Sequence, residues 1–117
     1  ASLKRLTTEL HMLISVIATC GIANPQTQDT AFTRGWKLLQ PNKPKNFKTV
    51  EYFDYEAFNQ ALAKLRELKP KLKASVLEAC IQTALADGTL TQDQFALIKG
   101  IGATLDCPIP PLASKPR

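Results

Sequence analysis

Apolar residues recur at steps of three and four in five successive segments, and this helical period constrains the fold more than any other feature of the chain. In the first segment the series is Leu3, Leu6, Leu10, Leu13 and Ile17. Because the connections are short and no hairpin signal is present, the sequence predicts an all-α fold, a single compact bundle of about five helices. The predicted helices cover residues 3–20, 26–39, 55–68, 70–85 and 91–105.

Residue types at the ends of these segments support the boundaries. Asn24 is placed to cap the second helix ahead of a proline at its first position, and Asp54 is placed to cap the third. Pro70 opens the fourth helix, where its missing amide hydrogen costs nothing. Thr91, with Gln94 three residues later, predicts a capping box at the start of the fifth helix. Four of the five predicted helices therefore start at a capping residue, at a proline, or at both.

Three glycines inside the predicted helices indicate places of close approach. A glycine in a helix interior costs up to about 1 kcal/mol, so a neighbouring helix is expected against Gly35. For Gly100 and Gly102 we expect a tight crossing against the fourth helix, whose broad apolar surface predicts a central position in the bundle. Trp36 is predicted to be a core anchor, and His11 to lie at the boundary of the core and not to act as a ligand.

The segments between and after the helices carry turn and loop signals. Residues 40–48 contain two prolines and three lysines, which predicts an exposed, mobile loop. Residues 49–53 favour an extended piece, although a single short strand has no partner in this sequence. Pro108 is expected to stop the fifth helix, and residues 109–112 to lie extended in polyproline form across the surface of the bundle. One helical domain over residues 1–112 and a frayed tail over 113–117 are predicted.

The cysteine content argues against a metal site. The 117-residue chain contains Cys20, Cys80 and Cys107 and a single histidine, whereas a structural zinc site needs about four such ligands, usually in close pairs. We therefore expect no metal ligands, and free thiols of which at least two pack as small hydrophobic residues in a reducing compartment. The longest apolar-rich stretch, residues 10–23, is shorter than the roughly 20 residues of a membrane span, which predicts a buried helix.

The net charge of +5 is spread unevenly along the chain. Residues 34–73 carry ten Lys and Arg against four acidic residues, whereas residues 76–106 carry one lysine against four acidic residues. A basic surface can bind nucleic acid or an anionic membrane, but no aromatic or Gly-rich reader motif accompanies these lysines, which disfavours nucleic acid. The candidate interaction patch consists of Lys43, Lys45, Lys48, Lys64, Arg66, Lys69, Lys71 and Lys73.

The turn at Asp87 and Gly88 has the outline of a calcium-binding loop. With these residues at loop positions five and six, Thr83, Leu85 and Gln94 would occupy positions one, three and twelve, where calcium requires oxygen ligands and a bidentate glutamate. We therefore interpret the turn as structural. The sequence also has no paired carboxylates, nucleophile–histidine–acid set, phosphate loop or dinucleotide fingerprint, so neither catalytic nor cofactor-binding residues are expected in this chain.

A series of motifs in the second half of the chain is similar to a known family. ALAKLR at residues 61–66, LKPKLK at 68–73, LEAC at 77–80 and ADG at 86–88 follow in that order, and LDCPIPPL at 105–112 is the most specific. Together they resemble the C-terminal region of bacterial membrane-bound zinc metallopeptidases of the HtpX and CAAX-prenyl-protease type. The last two helices also resemble a TerB-like (tellurite-resistance) helical pair through the Ala-Asp-Gly turn.

The resemblance extends to residues 10–39 and implies a C-terminal accessory domain that guides the substrates, assembly or regulation of a protease. In such parents, zinc and catalysis belong to a His-Glu-x-x-His domain among transmembrane helices, and no residue of that domain transfers to this chain. The implied location is a soluble domain of a bacterial inner-membrane protein, with the rest of the protease or its substrates as partners. The resemblance leaves the side of the membrane open, and the free thiols favour the reducing side. The family-motif positions, with predicted structural roles, are Asp87, Gly88, Asp106, Cys107, Pro108, Pro110 and Pro111.

Two alternatives stay open. The first is a stand-alone TerB-like module for metal binding or stress response, which calorimetry with calcium, zinc or manganese tests. The second is a basic module that binds anionic surfaces through the candidate interaction patch, for which salt-dependent retention on DNA or anionic vesicles is the test. An upstream coding region with apolar spans and a His-Glu-x-x-His motif would favour the metallopeptidase over both.

Overall fold

The structure is a computed structural model that describes residues 3–39, 46–47 and 50–109. Over these residues it contains five α-helices and no strand, which confirms the all-α prediction. The helices are α1 (Thr7–Thr19), α2 (Pro25–Leu39), α3 (Tyr55–Leu65), α4 (Pro70–Ala84) and α5 (Gln92–Thr104). A 3-10 turn, Leu3–Leu6, precedes α1, and a second one, Leu85–Asp87, follows α4.

The helix starts follow the capping residues that the sequence supplies. Asn24 Oδ1 accepts hydrogen bonds from the amides of Gln26 (2.8 Å) and Thr27 (3.2 Å) at the start of α2. Asp54 Oδ1 accepts one from the amide of Ala57 (3.0 Å) at the start of α3. These side chains satisfy amides that have no partner inside their own helix, so the predicted boundaries at both places are confirmed.

The predicted capping box of α5 is present and also joins two helices. Thr91 Oγ1 accepts from the amide of Gln94 (3.0 Å), and Gln94 Oε1 accepts from the amide of Thr91 (2.8 Å). The remaining side-chain nitrogen of Gln94 donates to the carbonyl oxygen of Cys20 (2.9 Å), just past the end of α1. The Gln94 side chain is fully buried, so its oxygen and nitrogen would destabilise the core if they had no hydrogen-bond partner. The bonds to Thr91 and Cys20 supply those partners.

Helix α4 lies at the centre of the bundle, as its broad apolar surface predicts, and packs against α1, α2 and α5. Its closest neighbour is α2, at Gly35. A β-carbon added to Gly35 would overlap Thr83 Oγ1 and lie 3.1 Å from the carbonyl oxygen of Ala79, both on α4. Glycine is therefore required by the approach of the two helices, as expected. On the same helix as Gly35, Trp36 is buried, which confirms its predicted place in the core.

The first helix was predicted to begin at Leu3, but residues Leu3–Leu6 form a 3-10 turn and α1 begins at Thr7. Two further details of the helical prediction are wrong. Helix α3 ends at Leu65 and not at Leu68, because Lys69 precedes a proline and must be extended, with φ −62° and ψ 150°. The amides of Glu67 and Leu68 instead bond to carbonyls three residues back, and Leu68 still packs into the core. The chain therefore turns between α3 and α4 without losing the apolar contact that suggested a longer helix.

The second wrong detail concerns the two glycines of α5. A β-carbon on Gly100 would meet no atom within 4 Å, so no helix crossing explains this residue. A β-carbon on Gly102 would lie 3.1 Å from the carbonyl oxygen of Cys107 and 3.2 Å from Ile109, and farther, at 3.6 Å, from Leu77 of α4. The close neighbour is chiefly the chain that returns over the end of α5.

That return is a Schellman motif. The amide of Cys107 donates to the carbonyl of Gly102 (2.9 Å), and the amide of Asp106 donates to the carbonyl of Ala103 (3.2 Å). Asp106 has a positive φ of 55°, as the motif requires at this position. Pro108 follows directly and cannot continue the helix. Ile109 then packs against the core, and the predicted extension over residues 110–112 and the frayed tail lie outside the described residues.

Candidate binding groove

An open groove of about 440 Å³ runs between α1 and the segment that leads into α3. Its volume lies within the roughly 300–1,000 Å³ typical of ligand-binding clefts. One wall is a face of α1, and the other is the irregular segment of residues 50–54, which forms no strand. The residues that line it are 50–54 together with His11, Met12, Ser15, Val16 and Phe58.

The irregular wall is held at both of its ends. At one end, the amide of Val50 donates to Thr19 Oγ1 (3.2 Å), and that hydroxyl donates to the carbonyl of Ser15 (2.9 Å) on α1. At the other end, the ring of Phe53 packs against Phe58 of α3, with the ring centroids 5.2 Å apart. Two hydrogen bonds of the Thr19 hydroxyl and one aromatic contact thus position a segment that has no regular secondary structure of its own.

Three aromatic side chains of this wall and its continuation face solvent. Tyr52 is 82% exposed, Tyr55 69% and Phe53 43%. Elsewhere in the part of the chain that the structure describes, Leu38 is the one large hydrophobic residue of comparable exposure. Exposed aromatic residues beside a groove are typical of protein interfaces, where tyrosine, tryptophan and phenylalanine are enriched.

The α1 wall contributes a buried hydroxyl without a partner. Ser15 lines the groove and is only 4% exposed, and its Oγ has no hydrogen-bond partner among the residues that the structure describes. Most buried polar atoms in folded proteins are hydrogen-bonded, because leaving one unpaired costs about 1–3 kcal/mol. The hydroxyl is therefore a buried polar group without a described partner, on a residue of the α1 wall of the groove.

His11, one turn before Ser15, lies between the groove and the core. Its Nε2 is 3.1 Å from the carbonyl oxygen of Asn46, which accepts a hydrogen bond from the tautomer that carries the hydrogen on Nε2. The imidazole ring also packs edge-on against Phe32 and Trp36, with centroid distances of 5.2 and 6.0 Å. The predicted boundary position of His11 is thus confirmed, since the ring joins the core cluster on one side and the groove on the other.

The charged residues that line the groove in the described part of the chain are acidic. Glu51 and Asp54 both contribute to its wall, and neither lysine nor arginine is among the residues that line it in the described part of the chain. The carboxylate of Asp54 is engaged as the cap of α3, whereas the only ion pair among the described residues joins Lys64 and Glu9 (3.3 Å). Glu51 is exposed, and it forms no ion pair with another described residue.

The structure describes only part of the candidate interaction patch. Arg66, Lys69 and Lys71 are exposed around the turn between α3 and α4, and Lys73 is half-buried on the first turns of α4. Lys64 lies on α3 and pairs with Glu9 of α1. The remaining members, Lys43, Lys45 and Lys48, lie outside the described residues, so the patch stays a prediction from sequence.

The family-motif positions that the structure describes form helix ends. Asp87 Oδ1 accepts from the amide of Thr89 (3.1 Å), and Gly88 has a φ of +86° at the end of the 3-10 turn that follows α4. Asp106 and Cys107 form the Schellman motif of α5, and Pro108 follows it directly. The other two motif positions, Pro110 and Pro111, lie outside the described residues. These residues therefore have structural roles at the ends of α4 and α5.

The three thiols differ in their surroundings. Burial raises the pKa of Cys80 to about 12, so this thiol is protonated at neutral pH. Desolvation, and then the nearby charge of Asp93, raise the pKa of the half-buried Cys20. Cys107 is half-buried against the core. Over the described residues, no three His, Cys, Asp or Glu side chains are grouped closely enough to hold a metal ion.

None of the helices in the described part of the chain combines the length and the apolarity that crossing a bilayer requires. Comparison of the chain with protein-family models, with curated proteins and with solved structures finds no match.

Proposed function

We propose that this chain is a non-catalytic accessory domain that binds a segment of another protein, or of its own parent protein, in the groove between α1 and residues 50–54. One observation carries the proposal: Tyr52, Phe53 and Tyr55 are exposed together beside a groove of ligand-binding size. Exposing aromatic rings to water costs free energy, and a partner that covers them recovers it.

The proposal includes a parent protein, a bacterial membrane-bound zinc metallopeptidase of the HtpX or CAAX-prenyl-protease type. Its support is the order of motifs from residue 61 to residue 112. The zinc and the catalytic residues would then belong to the protease domain of the parent, and the present chain would contribute binding only. The coding sequence upstream tests this part: a reading frame without apolar spans and without His-Glu-x-x-His would refute the parent and leave the binding function untouched.

Site-specific photo-crosslinking in the cells that naturally make the protein tests the binding function. A photoreactive phenylalanine analogue replaces Tyr52 at the groove, and in a matched variant it replaces Leu38, an exposed hydrophobic residue of α2 that lies beside α4 residues and away from the groove. We expect a discrete protein adduct, or an intramolecular one in the parent, from the Tyr52 position only. Equal labelling at both positions, or none at Tyr52, would contradict a specific site.

A further inference from the structure

We propose that the groove accepts a basic peptide, in which a large apolar side chain enters the groove and an adjacent Lys or Arg pairs with Glu51. The inference rests on the proposed function, because it assigns a ligand chemistry to the same groove. It follows from three features of the lining: an unpaired hydroxyl, an apolar wall of suitable size, and a local negative charge.

The hydroxyl of Ser15 favours a ligand with backbone-type hydrogen-bonding groups. A serine hydroxyl is both a donor and an acceptor, so it can pair with either the amide or the carbonyl of a peptide bond. Ser15 is 4% exposed and lines the groove, and its Oγ has no partner among the described residues. The Ser15 oxygen is itself buried in the free chain, so a bound peptide would supply the missing hydrogen bond once the side chain turns toward the groove, and a purely hydrocarbon ligand would leave it unmade.

The apolar part of the lining favours a large side chain next to that peptide bond. Met12 and Val16 are half-buried on α1, and Phe58 is a buried ring of α3 that also lines the groove. Methionine is flexible and polarisable, and its sulfur makes favourable contacts with aromatic rings. A phenylalanine or leucine side chain in the groove would contact these three residues, and Tyr52 would cover it from the outer side.

The charge of the lining selects basic over acidic peptides. The chain as a whole has a net charge of +5, and the groove is lined by Glu51 and Asp54 without any lysine or arginine from the described residues. The Asp54 carboxylate caps α3, which leaves Glu51 as the charge that a cation on the ligand can reach. An acidic peptide would meet like charge at the groove, so complementarity here provides specificity.

Titration of the full 15N-labelled chain with three synthetic peptides tests the inference. The probe is the acetylated and amidated peptide Gly-Gly-Phe-Lys-Gly-Gly, and its controls replace Phe with Ala or Lys with Glu. We expect the probe to shift the amide signals of Ser15, Val16 and Tyr52 in a saturable way. Both controls should bind at least fivefold more weakly, because each lacks one of the two recognised groups.

Matched charge variants separate the site from the general charge of the chain. Glu51→Lys should weaken binding of the probe at least fivefold and strengthen binding of the peptide with Glu in place of Lys. Glu56→Lys changes the net charge equally on an exposed residue of α3 that does not line the groove, and it should leave both affinities unchanged within twofold. Equal effects of the two substitutions would overturn the assignment of Glu51.

Ser15→Ala separates a binding role from a purely structural one. Removing an unpaired buried hydroxyl should raise the melting temperature of the free chain and, in the same variant, weaken binding of the probe about threefold or more. A residue with only a structural role would not move the two quantities in opposite directions. A variant that is more stable and binds equally well would overturn the role of Ser15.

Other occupants of the groove give different results. If a second copy of the chain fills it, the groove signals will shift with protein concentration in the absence of peptide, and the inference is wrong. If photo-crosslinking at Tyr52 succeeds and no basic peptide binds, the ligand chemistry is wrong and the proposed function stands. If crosslinking also fails, the proposed function itself is refuted.

Discussion

The substitution Gly35→Ala is a strong test of the packing between α2 and α4. Alanine is favoured over glycine in a helix by about 1 kcal/mol, so an unobstructed site would gain stability. At Gly35 the added β-carbon would instead overlap the hydroxyl of Thr83, which is fully buried and donates to the carbonyl of Ala79 (2.7 Å). The helices must then move apart at the Ala79 carbonyl oxygen, and the Thr83 side chain must also rotate and lose its hydrogen bond.

The magnitude follows from three contributions. Overpacking a core costs about 1–3 kcal/mol, and a buried hydroxyl without a partner costs about 1–3 kcal/mol. After the gain in helix propensity, the net loss expected for Gly35→Ala is about 3 kcal/mol. For a chain of this size that corresponds to a fall in melting temperature of about 12 °C.

Urea denaturation followed by circular dichroism measures the change, and Gly100→Ala is the matched control. Both glycines lie inside helices, but Gly100 has no atom within 4 Å of the added carbon, so its replacement should stabilise the chain by about 0.5–1 kcal/mol. In the double variant, Thr83→Ala removes the overlapping oxygen and should recover about 2 kcal/mol of the loss. Equal effects of the two glycine substitutions, or no recovery in the double variant, would refute the reasoning.

Three further predictions concern other parts of the bundle. Gln94→Ala should lower the free energy of unfolding by about 3 kcal/mol, measured by urea denaturation, because it removes part of the capping box and the bond to the residue after α1. The control Gln92→Ala, on the exposed side of α5, should change it by less than about 0.5 kcal/mol. Asp106→Gly should stabilise the chain by about 1 kcal/mol, since glycine adopts the positive φ of 55° without strain, and a lower melting temperature would contradict the Schellman geometry. Burial raises the pKa of Cys80 from 9.0 to about 12, so between these pH values the unfolded chain loses a thiol proton that the folded chain keeps. Stability should therefore fall with rising pH in this window by about 1.4 kcal/mol per pH unit, and Cys80→Ala should lack this part of the slope when the two chains are compared by denaturation at each pH.

Most of the helical architecture could be predicted because its signals are local. The apolar period within each segment, the caps at Asn24 and Asp54 and the capping box of α5 all involve residues a few positions apart. The end of α3 was misplaced because Leu68 continues the apolar pattern while the following Lys69–Pro70 pair forces the backbone out of the helix. Here the steric rule for proline outweighs the period.

The glycines of α5 show the limit of such reasoning. A glycine signals close approach, but the sequence does not say which part of the chain approaches. At Gly102 it is mainly the returning chain at Cys107 and Ile109, and at Gly100 the space is open. The same residue type therefore has a packing reason at Gly35 and Gly102 and none in the described structure at Gly100.

The candidate groove could not be predicted from the pattern at all. Ser15 lies in an apolar helix and looks like an ordinary tolerated serine, and residues 49–53 look like a strand without a partner. Only the exposed aromatic residues carried a hint, because three of them within four positions are more than a small core needs. Tyr52 and its neighbours become a wall once Val50 is tied to Thr19 and Phe53 packs on α3.

By itself, the sequence determined where helices form and which face of each is apolar, since these depend on neighbours within one or two turns. The tertiary structure alone decided which helices touch at Gly35, that Gln94 reaches across to α1, and that Ser15 is buried beside a groove with no partner among the described residues. These features depend on residues tens of positions apart, up to 74 for the bond from Gln94 to Cys20. Such contacts are fixed by how the apolar faces pack together, and no local pattern records them.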